Sequence, residues 1–225
     1  MRRSEIDRYI KEAYVFLEKM YFRLPSWACF NACEWNNLGP EYEAIAKNML
    51  GWEVTDFGSG KFKDVGVVSF TMRNHSTDEG FRTGNYAEKV IIVRKNQVTP
   101  AHYHKKKTED VINRGGGKLC VKLWMADAKG GMAENSFSAE IDGISRKVIP
   151  GEILKINPGE SICITPGMYH TFWAEIDMVM AGQISSAEID HQDTFFYENY
   201  KWETDIEEDE QPDYFLSHEY PEFTK

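Results

Sequence analysis

The 225-residue sequence lacks the features that mark membrane-spanning, secreted and nucleic-acid-binding proteins. It has no run of about 18 apolar residues, so neither a transmembrane helix nor a membrane partner is expected. Residues 1–10 carry basic side chains without the apolar core of a signal peptide, and the four cysteines do not suggest a secreted disulfide framework. A formal net charge of −10 argues against a nucleic-acid partner, because phosphate binding needs a basic surface. We therefore expect a cytoplasmic protein.

What the sequence has instead is a globular composition, with 42% hydrophobic and 13% aromatic residues. Its first part is typical of helices. Ser4 can cap an amphipathic helix over residues 4–20, where apolar side chains recur at three- and four-residue steps. A second helix is expected to start after Pro40 and to end at Gly51.

The later part of the sequence predicts strands. Its β-branched and aromatic segments are separated by turn residues, and they cover 65–73, 87–95, 118–126, 152–156, 161–166 and 171–184. Helices that precede a long run of strands favour an antiparallel sandwich or double-sheet roll over βαβ units. We therefore expect a mainly β fold with the helices outside the sheets.

Histidines and one carboxylate provide a candidate metal site. On a strand, His102 and His104 point to the same face, because side chains alternate. Glu109 lies five residues further on, and His170 opens a later strand after the turn TPGMY. Imidazoles with a carboxylate suit Mn, Fe, Co, Ni or Zn. The alternative is a set of ordinary polar residues whose hydrogen bonds are satisfied within the protein.

The segments HYHKKKTEDVINRG and PGESICITPGMYH resemble the two signature motifs of the cupin superfamily. His102, His104 and Glu109 match the ligands of the first motif, and His170 matches the ligand of the second. Asn96 replaces the opening glycine, but asparagine also tolerates a turn. The resemblance implies a cupin-type double-stranded β-helix, or jelly-roll barrel, with N-terminal helices packed outside.

A more specific resemblance covers nearly the whole chain. Five segments resemble, in order, the D-lyxose ketol-isomerase family of cupins, namely 49–74, 86–93, 102–117, 158–173 and 205–221. The resemblance implies an aldose–ketose isomerase for D-lyxose and D-mannose, usually a homodimer, that uses Mn²⁺, with Zn²⁺, Co²⁺, Fe²⁺ and Ni²⁺ as alternatives. A single domain over 1–225 is then expected, with a helical extension (1–60), a barrel (61–200) and a C-terminal segment that closes the site (201–225).

The lysines of the first motif suggest the chemistry. Isomerisation moves one proton between C1 and C2 and another between the oxygens, through a cis-enediol. Lys107 matches the family's lysine two residues before the glutamate ligand, which implies proton transfer on, or stabilisation of, the sugar oxygens. The alternative is a surface lysine, as expected for Lys105 and Lys106. Lys89 matches a family lysine that contacts substrate.

Two departures from the family concern the base and the substrate. Asp205 stands where the family has a glutamate, so it is the expected carbon base, with Glu203 or Glu207 as alternatives and a simple surface acid as another. Asp190 is expected to contact the substrate together with Lys89 and Glu109. Phe195 occupies the expected place of a family arginine, which predicts a shifted sugar preference.

Two rival functions share the same ligand set. A cupin dioxygenase also uses histidines and a glutamate, but oxygen chemistry favours a drier pocket, whereas Lys107 and the C-terminal carboxylates favour a polyol. A non-catalytic sugar-binding cupin is the other rival.

Overall fold

The computed structural model describes residues 1–74, 86–186 and 193–223. Three α-helices precede the strands, with 3-10 turns at Ser26–Cys29 and Pro40–Tyr42: α1 (Arg3–Lys19), α2 (Ala32–Trp35) and α3 (Glu43–Lys47). The strands of the first half are β1 (Gly51–Thr55), β2 (Val67–Arg73), β3 (Tyr86–Val93), β4 (Thr99–His104), β5 (Glu109–Gly116) and β6 (Leu119–Met125). Those of the second half are β7 (Phe137–Ile141), β8 (Ile144–Val148), β9 (Leu154–Ile156), β10 (Ser161–Ile164), β11 (Met168–Ala174), β12 (Val179–Ser186) and β13 (Thr194–Phe196).

Two antiparallel sheets pack over one core. The larger sheet has eight strands in the order β1-β2-β3-β12-β5-β10-β7-β8, and the smaller has five in the order β13-β4-β11-β6-β9. Both sheets contribute to the same buried cluster, for example Ile91 and Val111 from the larger and Leu123 and Phe172 from the smaller. The predicted mainly β double-sheet barrel is confirmed.

The helix α1 lies outside the barrel, as expected. Along β2 and β3, successive side chains point to opposite faces of the sheet. One face contributes Val67 and Ile91 to the core between the sheets. The other contributes Phe70 and Ile92 to a second buried cluster, together with Ile10 and other apolar residues of α1. Both strands carry buried apolar residues on each face because both faces are covered.

The structure departs from the predicted elements in several places. The expected second helix is represented only by α3, and β5, β7 and β13 are strands that were not predicted. β1 lies within the expected helical extension, and its Gly51 pairs with Thr71 of β2, so the barrel begins before residue 61. The segment 171–184 is divided between β11 and β12. β8 was not predicted, because its residues are mostly exposed at the edge of the sheet and therefore carry no apolar pattern.

Polar residues gather at one end of the barrel interior. Lys89 of β3, Gln183 of β12 and Glu109 of β5 are all buried and line one cavity. Further along the same inner face, each of these strands continues with apolar residues, namely Ile91, Val93, Ala181, Val179 and Val111. The register aligns Lys89 with Gln183, so the polar positions of neighbouring strands lie side by side. The barrel therefore has a polar end, where a site can form, and an apolar end that holds the sheets together.

Within the described part of the chain, no helix is both long enough and apolar enough to cross a membrane.

Candidate active site

Three buried imidazoles meet where β4 and β11 pair. The register places His170 opposite His102, and the two ring centroids are 4.1 Å apart. His104 lies on the same face of β4 as His102, with its ring centroid 5.2 Å from that of His102 and 5.5 Å from that of His170. One nitrogen from each ring can be chosen so that all three lie within 4.8 Å of one another. A single ion can therefore contact all three.

The carboxylate of Glu109 completes this group. Its Oε1 lies 3.3 Å from Nε2 of His170, and its Oε2 lies 3.6 Å from Nε2 of His104. The structure thus brings together all four residues that the sequence predicted as ligands.

Hydrogen bonds to the backbone orient two of the rings. Nδ1 of His102 donates to the carbonyl of Pro100 at 2.8 Å, and Nδ1 of His170 donates to the carbonyl of Met168 at 3.2 Å. A carbonyl only accepts, so the proton resides on Nδ1 and the lone pair on Nε2. Among the residues that the structure describes, Nε2 of His170 is buried without a hydrogen-bond partner. A buried nitrogen lone pair beside a carboxylate fits a divalent cation.

The protonation states also suit metal binding. Burial, reinforced by the neighbouring His170, lowers the pKa of His102 to about 3. Burial likewise lowers the pKa of His170 to about 4, although Glu109 opposes the shift. For Glu109, burial alone would raise the pKa, but Lys107 and the histidines outweigh it and bring the pKa to about 2. Neutral imidazoles and an ionised carboxylate are the forms that bind metals.

Lys107 is buried beside this group and is not a surface lysine. Its Nζ lies 3.1 Å from Oε2 of Glu109, and both side chains are only 4% exposed. The turn before it is held by Asp193, whose carboxylate accepts hydrogen bonds from the backbone N–H groups of Lys105, Lys106 and Lys107 at 3.2, 3.0 and 2.9 Å. The side chains of Lys105 and Lys106 are exposed, as expected.

The cavity at the polar end has a volume of about 40 Å³, and Lys89, Lys107, Glu109 and the three histidines line it. Sequence reasoning did not single out the other lining residues, among them Gln183 and Trp202. The side-chain amide of Gln183 donates to Oε2 of Glu109 at 2.7 Å, so it orients the carboxylate. A lone amide in the apolar strand VMAGQI was the available signal. Trp202, from the C-terminal segment, forms part of the wall. Nothing local in the sequence indicated that it returns to the barrel.

The structure does not bring Asp205 into the cavity, and its role as the carbon base stays a prediction. Its side chain is 91% exposed, and its Oδ1 accepts a hydrogen bond from Lys201 at 2.8 Å. The segment that follows runs along the N-terminus, because Arg2 and Glu207 form a parallel bridge. The two alternatives, Glu203 and Glu207, are also exposed. Asp190 lies outside the described residues.

Phe195 also lies away from the site. In β13, Thr194 and Phe196 pair with the two histidines of β4, and Phe195 pairs with Tyr103. Its ring stacks on that of Tyr103 at 5.3 Å, and Nζ of Lys105 lies 4.0 Å from its centroid. Phe195 is not among the residues that line the cavity, and its effect on sugar preference stays a prediction. Strand alternation turns this residue to the outer face.

The fold is a cupin-like double-sheet roll, and its polar end joins three histidines to a glutamate, a set of side chains that suits a metal ion. A model of the D-lyxose isomerase family matches residues 1–220. A D-lyxose/D-mannose isomerase of Escherichia coli O157:H7 is 39% identical over 99% of this chain and 100% of that protein. A second, from Serratia proteamaculans, is 37% identical over 99% of both. The chain belongs to the D-lyxose isomerase family.

Solved structures share the fold. The L-ribose isomerase of Acinetobacter sp. DL28, in complex with L-ribose, matches with a TM-score of 0.59 at 13% identity, over 92% of this chain and 98% of that chain. The L-ribose isomerase of Geodermatophilus obscurus matches with a TM-score of 0.57 at 16% identity, over the same shares. The roll and its outer helix are thus a known architecture.

Proposed function

We propose that the protein is a metal-dependent aldose–ketose isomerase that interconverts D-lyxose with D-xylulose and D-mannose with D-fructose through a cis-enediol. Family membership and two full-length relatives named D-lyxose/D-mannose isomerases support the choice of sugars. The observation that carries the proposal is the buried ammonium of Lys107, 3.1 Å from Glu109 in a group of three imidazoles. An acid beside a metal site is what proton exchange on sugar oxygens requires.

Each residue then has a role. The ion would be held by His102, His104, His170 and Glu109. We propose that this ion is Mn²⁺, and Zn²⁺, Co²⁺, Fe²⁺ and Ni²⁺ are alternatives because imidazole with carboxylate admits all of them. A bound divalent ion polarises the carbonyl and hydroxyl oxygens of the sugar.

Around this centre, Lys107 gives and takes a proton at a sugar oxygen. Glu109 has one carboxylate oxygen held by Gln183, so its orientation is set before substrate enters. Lys89 binds a sugar hydroxyl from its position on β3. Asp190 is proposed as a further substrate contact.

We also propose how the chain is organised. Residues 1–225 act as one domain, in which the C-terminal segment 201–225 closes the site. The position of Trp202 in the cavity wall supports this role. The protein is proposed to be a cytoplasmic homodimer, and light scattering coupled to gel filtration tests the dimer.

The test is a metal-reconstitution assay. Metal-stripped protein is loaded with Mn²⁺, or with Zn²⁺, Co²⁺, Fe²⁺ or Ni²⁺ in parallel, and is assayed with D-lyxose, D-mannose, D-xylulose and D-fructose. Turnover should require a divalent ion and should disappear in His170→Gln. The control His218→Gln changes an exposed histidine and should retain activity.

Three results would refute the proposal. Oxygen consumption during turnover would support a dioxygenase instead. Sugar binding without conversion would support a non-catalytic binding protein. Full activity after metal removal would exclude the proposed centre.

A further inference from the structure

A second polar cluster stands beside the metal ligands, and none of the roles above includes its central residue. Glu53 of β1 points into the barrel and is 14% exposed. Its Oε1 accepts a hydrogen bond from the indole N–H of Trp202 at 2.7 Å. Its Oε2 accepts one from Ser69 at 3.4 Å and lies 3.8 Å from Nζ of Lys89. All three partners line the cavity.

The indole of Trp202 is fixed from two sides. Its N–H is bound to Glu53, and its backbone carbonyl accepts a hydrogen bond from Oγ1 of Thr55 at 2.7 Å. Its ring packs at 5.6 Å from that of Phe57 and at 6.5 Å from that of Phe196. The described residues 201–223 have no regular secondary structure of their own, so these contacts decide where the ring stands.

The side chains of Lys89 and Trp202 both interact with the carboxylate of Glu53. The ammonium of Lys89 is 8% exposed and lies 5.8 Å from the centroid of the Trp202 ring. A nearly buried ammonium needs a nearby anion, and Glu53 provides one. One carboxylate therefore positions both a cationic and an aromatic group on the same stretch of wall.

Lys89 and Trp202 line the same cavity as the proposed metal ligands without being among them. Glu53 lies on β1, four strands along the larger sheet from Glu109 on β5, and neighbouring strands are about 4.8 Å apart. A sugar whose C1 and C2 oxygens face the ion extends its remaining carbons away from it. An indole face offers such carbons an apolar surface, and the adjacent ammonium can donate hydrogen bonds to their hydroxyl groups.

We propose that Glu53 is a positioning residue that sets the preference between five- and six-carbon sugars, by holding Lys89 and Trp202 as the wall that receives the carbons farthest from the metal. The proposal rests on the isomerase function for its substrates. The wall contacts a hexose more extensively than a pentose, so loss of the wall weakens the binding of a hexose more than that of a pentose.

The experiment compares Glu53→Gln and Trp202→Phe with the wild type in kcat and KM for D-mannose and D-lyxose. Glutamine keeps an acceptor but loses the charge, and phenylalanine keeps a ring but loses the N–H. Each variant should raise the KM for D-mannose by about tenfold and change kcat little. The KM for D-lyxose should change by less than about threefold. The double variant should be less than additive, since Glu53 acts through Trp202.

A matched control separates the wall from general stability. Glu175→Gln removes the same charge from an exposed pair with Lys155, 2.8 Å long, and should leave both sugars unaffected. Mn²⁺ content should stay at the wild-type level in every variant. Equal losses for both sugars, losses in kcat alone, or loss of Mn²⁺ would overturn the proposal.

A binding measurement keeps the inference independent of turnover. Calorimetry of the Mn²⁺-loaded protein with D-mannitol and D-arabinitol compares six- and five-carbon ligands that cannot react. Glu53→Gln should lower the affinity for D-mannitol more than the affinity for D-arabinitol. A wild type that converts neither sugar would refute the isomerase function. An unchanged ratio of the two polyol affinities would refute the role of Glu53 in either case.

Discussion

Replacing Lys107 by methionine removes the ammonium beside the proposed metal ligands while nearly preserving the length of the side chain. In the wild type, Nζ lies 3.1 Å from Oε2 of Glu109, and both side chains are 4% exposed. Methionine is apolar and flexible, so it can occupy the same space without a new polar group. The change therefore tests the charge and the proton, and not the packing.

Two effects of different size are expected. A positioned acid or base contributes about 10²- to 10⁴-fold to a reaction, so kcat should fall by that factor while KM changes little. In the metal-free protein, a buried carboxylate that loses its cation costs about 3 kcal/mol, which lowers Tm by about 6–12 °C in a chain of this size. Bound Mn²⁺ should offset most of that loss, because the ion takes over the compensating charge.

The assay measures turnover of D-lyxose, Mn²⁺ content and Tm with and without metal. Lys106→Met is the matched control, since it makes the same change one residue away on an exposed side chain. It should match the wild type in all three measurements. A Lys107→Met enzyme that keeps more than about a tenth of the activity with Mn²⁺ bound would refute the proton-transfer role. Loss of Mn²⁺ would show that Lys107 serves the metal site instead.

Three further predictions concern the supporting groups. Gln183→Leu removes the 2.7 Å hydrogen bond to Glu109, so Mn²⁺ affinity in a chelator competition should fall about 10- to 100-fold, and an unchanged affinity would contradict the orienting role. Asp193→Ala removes the acceptor of three backbone N–H groups in the turn before Lys107, so kcat should fall with Mn²⁺ retained. Asp193→Asn should restore part of the activity, and equal loss in both variants would argue against this. The lowered pKa values of His102 and His170, about 3 and 4, mean that protons compete for these nitrogens only well below pH 6. Mn²⁺ affinity should therefore stay nearly constant from pH 7 to pH 6, whereas a tenfold or greater fall would indicate imidazoles with ordinary pKa values near 6.5.

Local patterns in the sequence determined much of this architecture. The alternation of side chains on a strand placed His102 and His104 on one face, and the three- and four-residue steps of 4–20 predicted α1. The resemblance of the two histidine segments to cupin motifs then identified Glu109 and His170 as partners. The three histidines meet in the structure because β4 and β11 pair, and Glu109 reaches them from β5 of the larger sheet.

Only the tertiary structure decided which other residues reach the cavity. Asp205 was expected inside but is exposed, and Phe195 was expected at the substrate but faces outward. Glu53, Gln183 and Trp202 were not expected there, yet they stand at or beside its wall. Period-2 alternation assigns a side chain to a face of its own strand, but strand order and register arise from contacts between distant segments. The path of a C-terminal segment without regular structure depends entirely on such contacts, so no local pattern reveals that it brings an indole to the barrel.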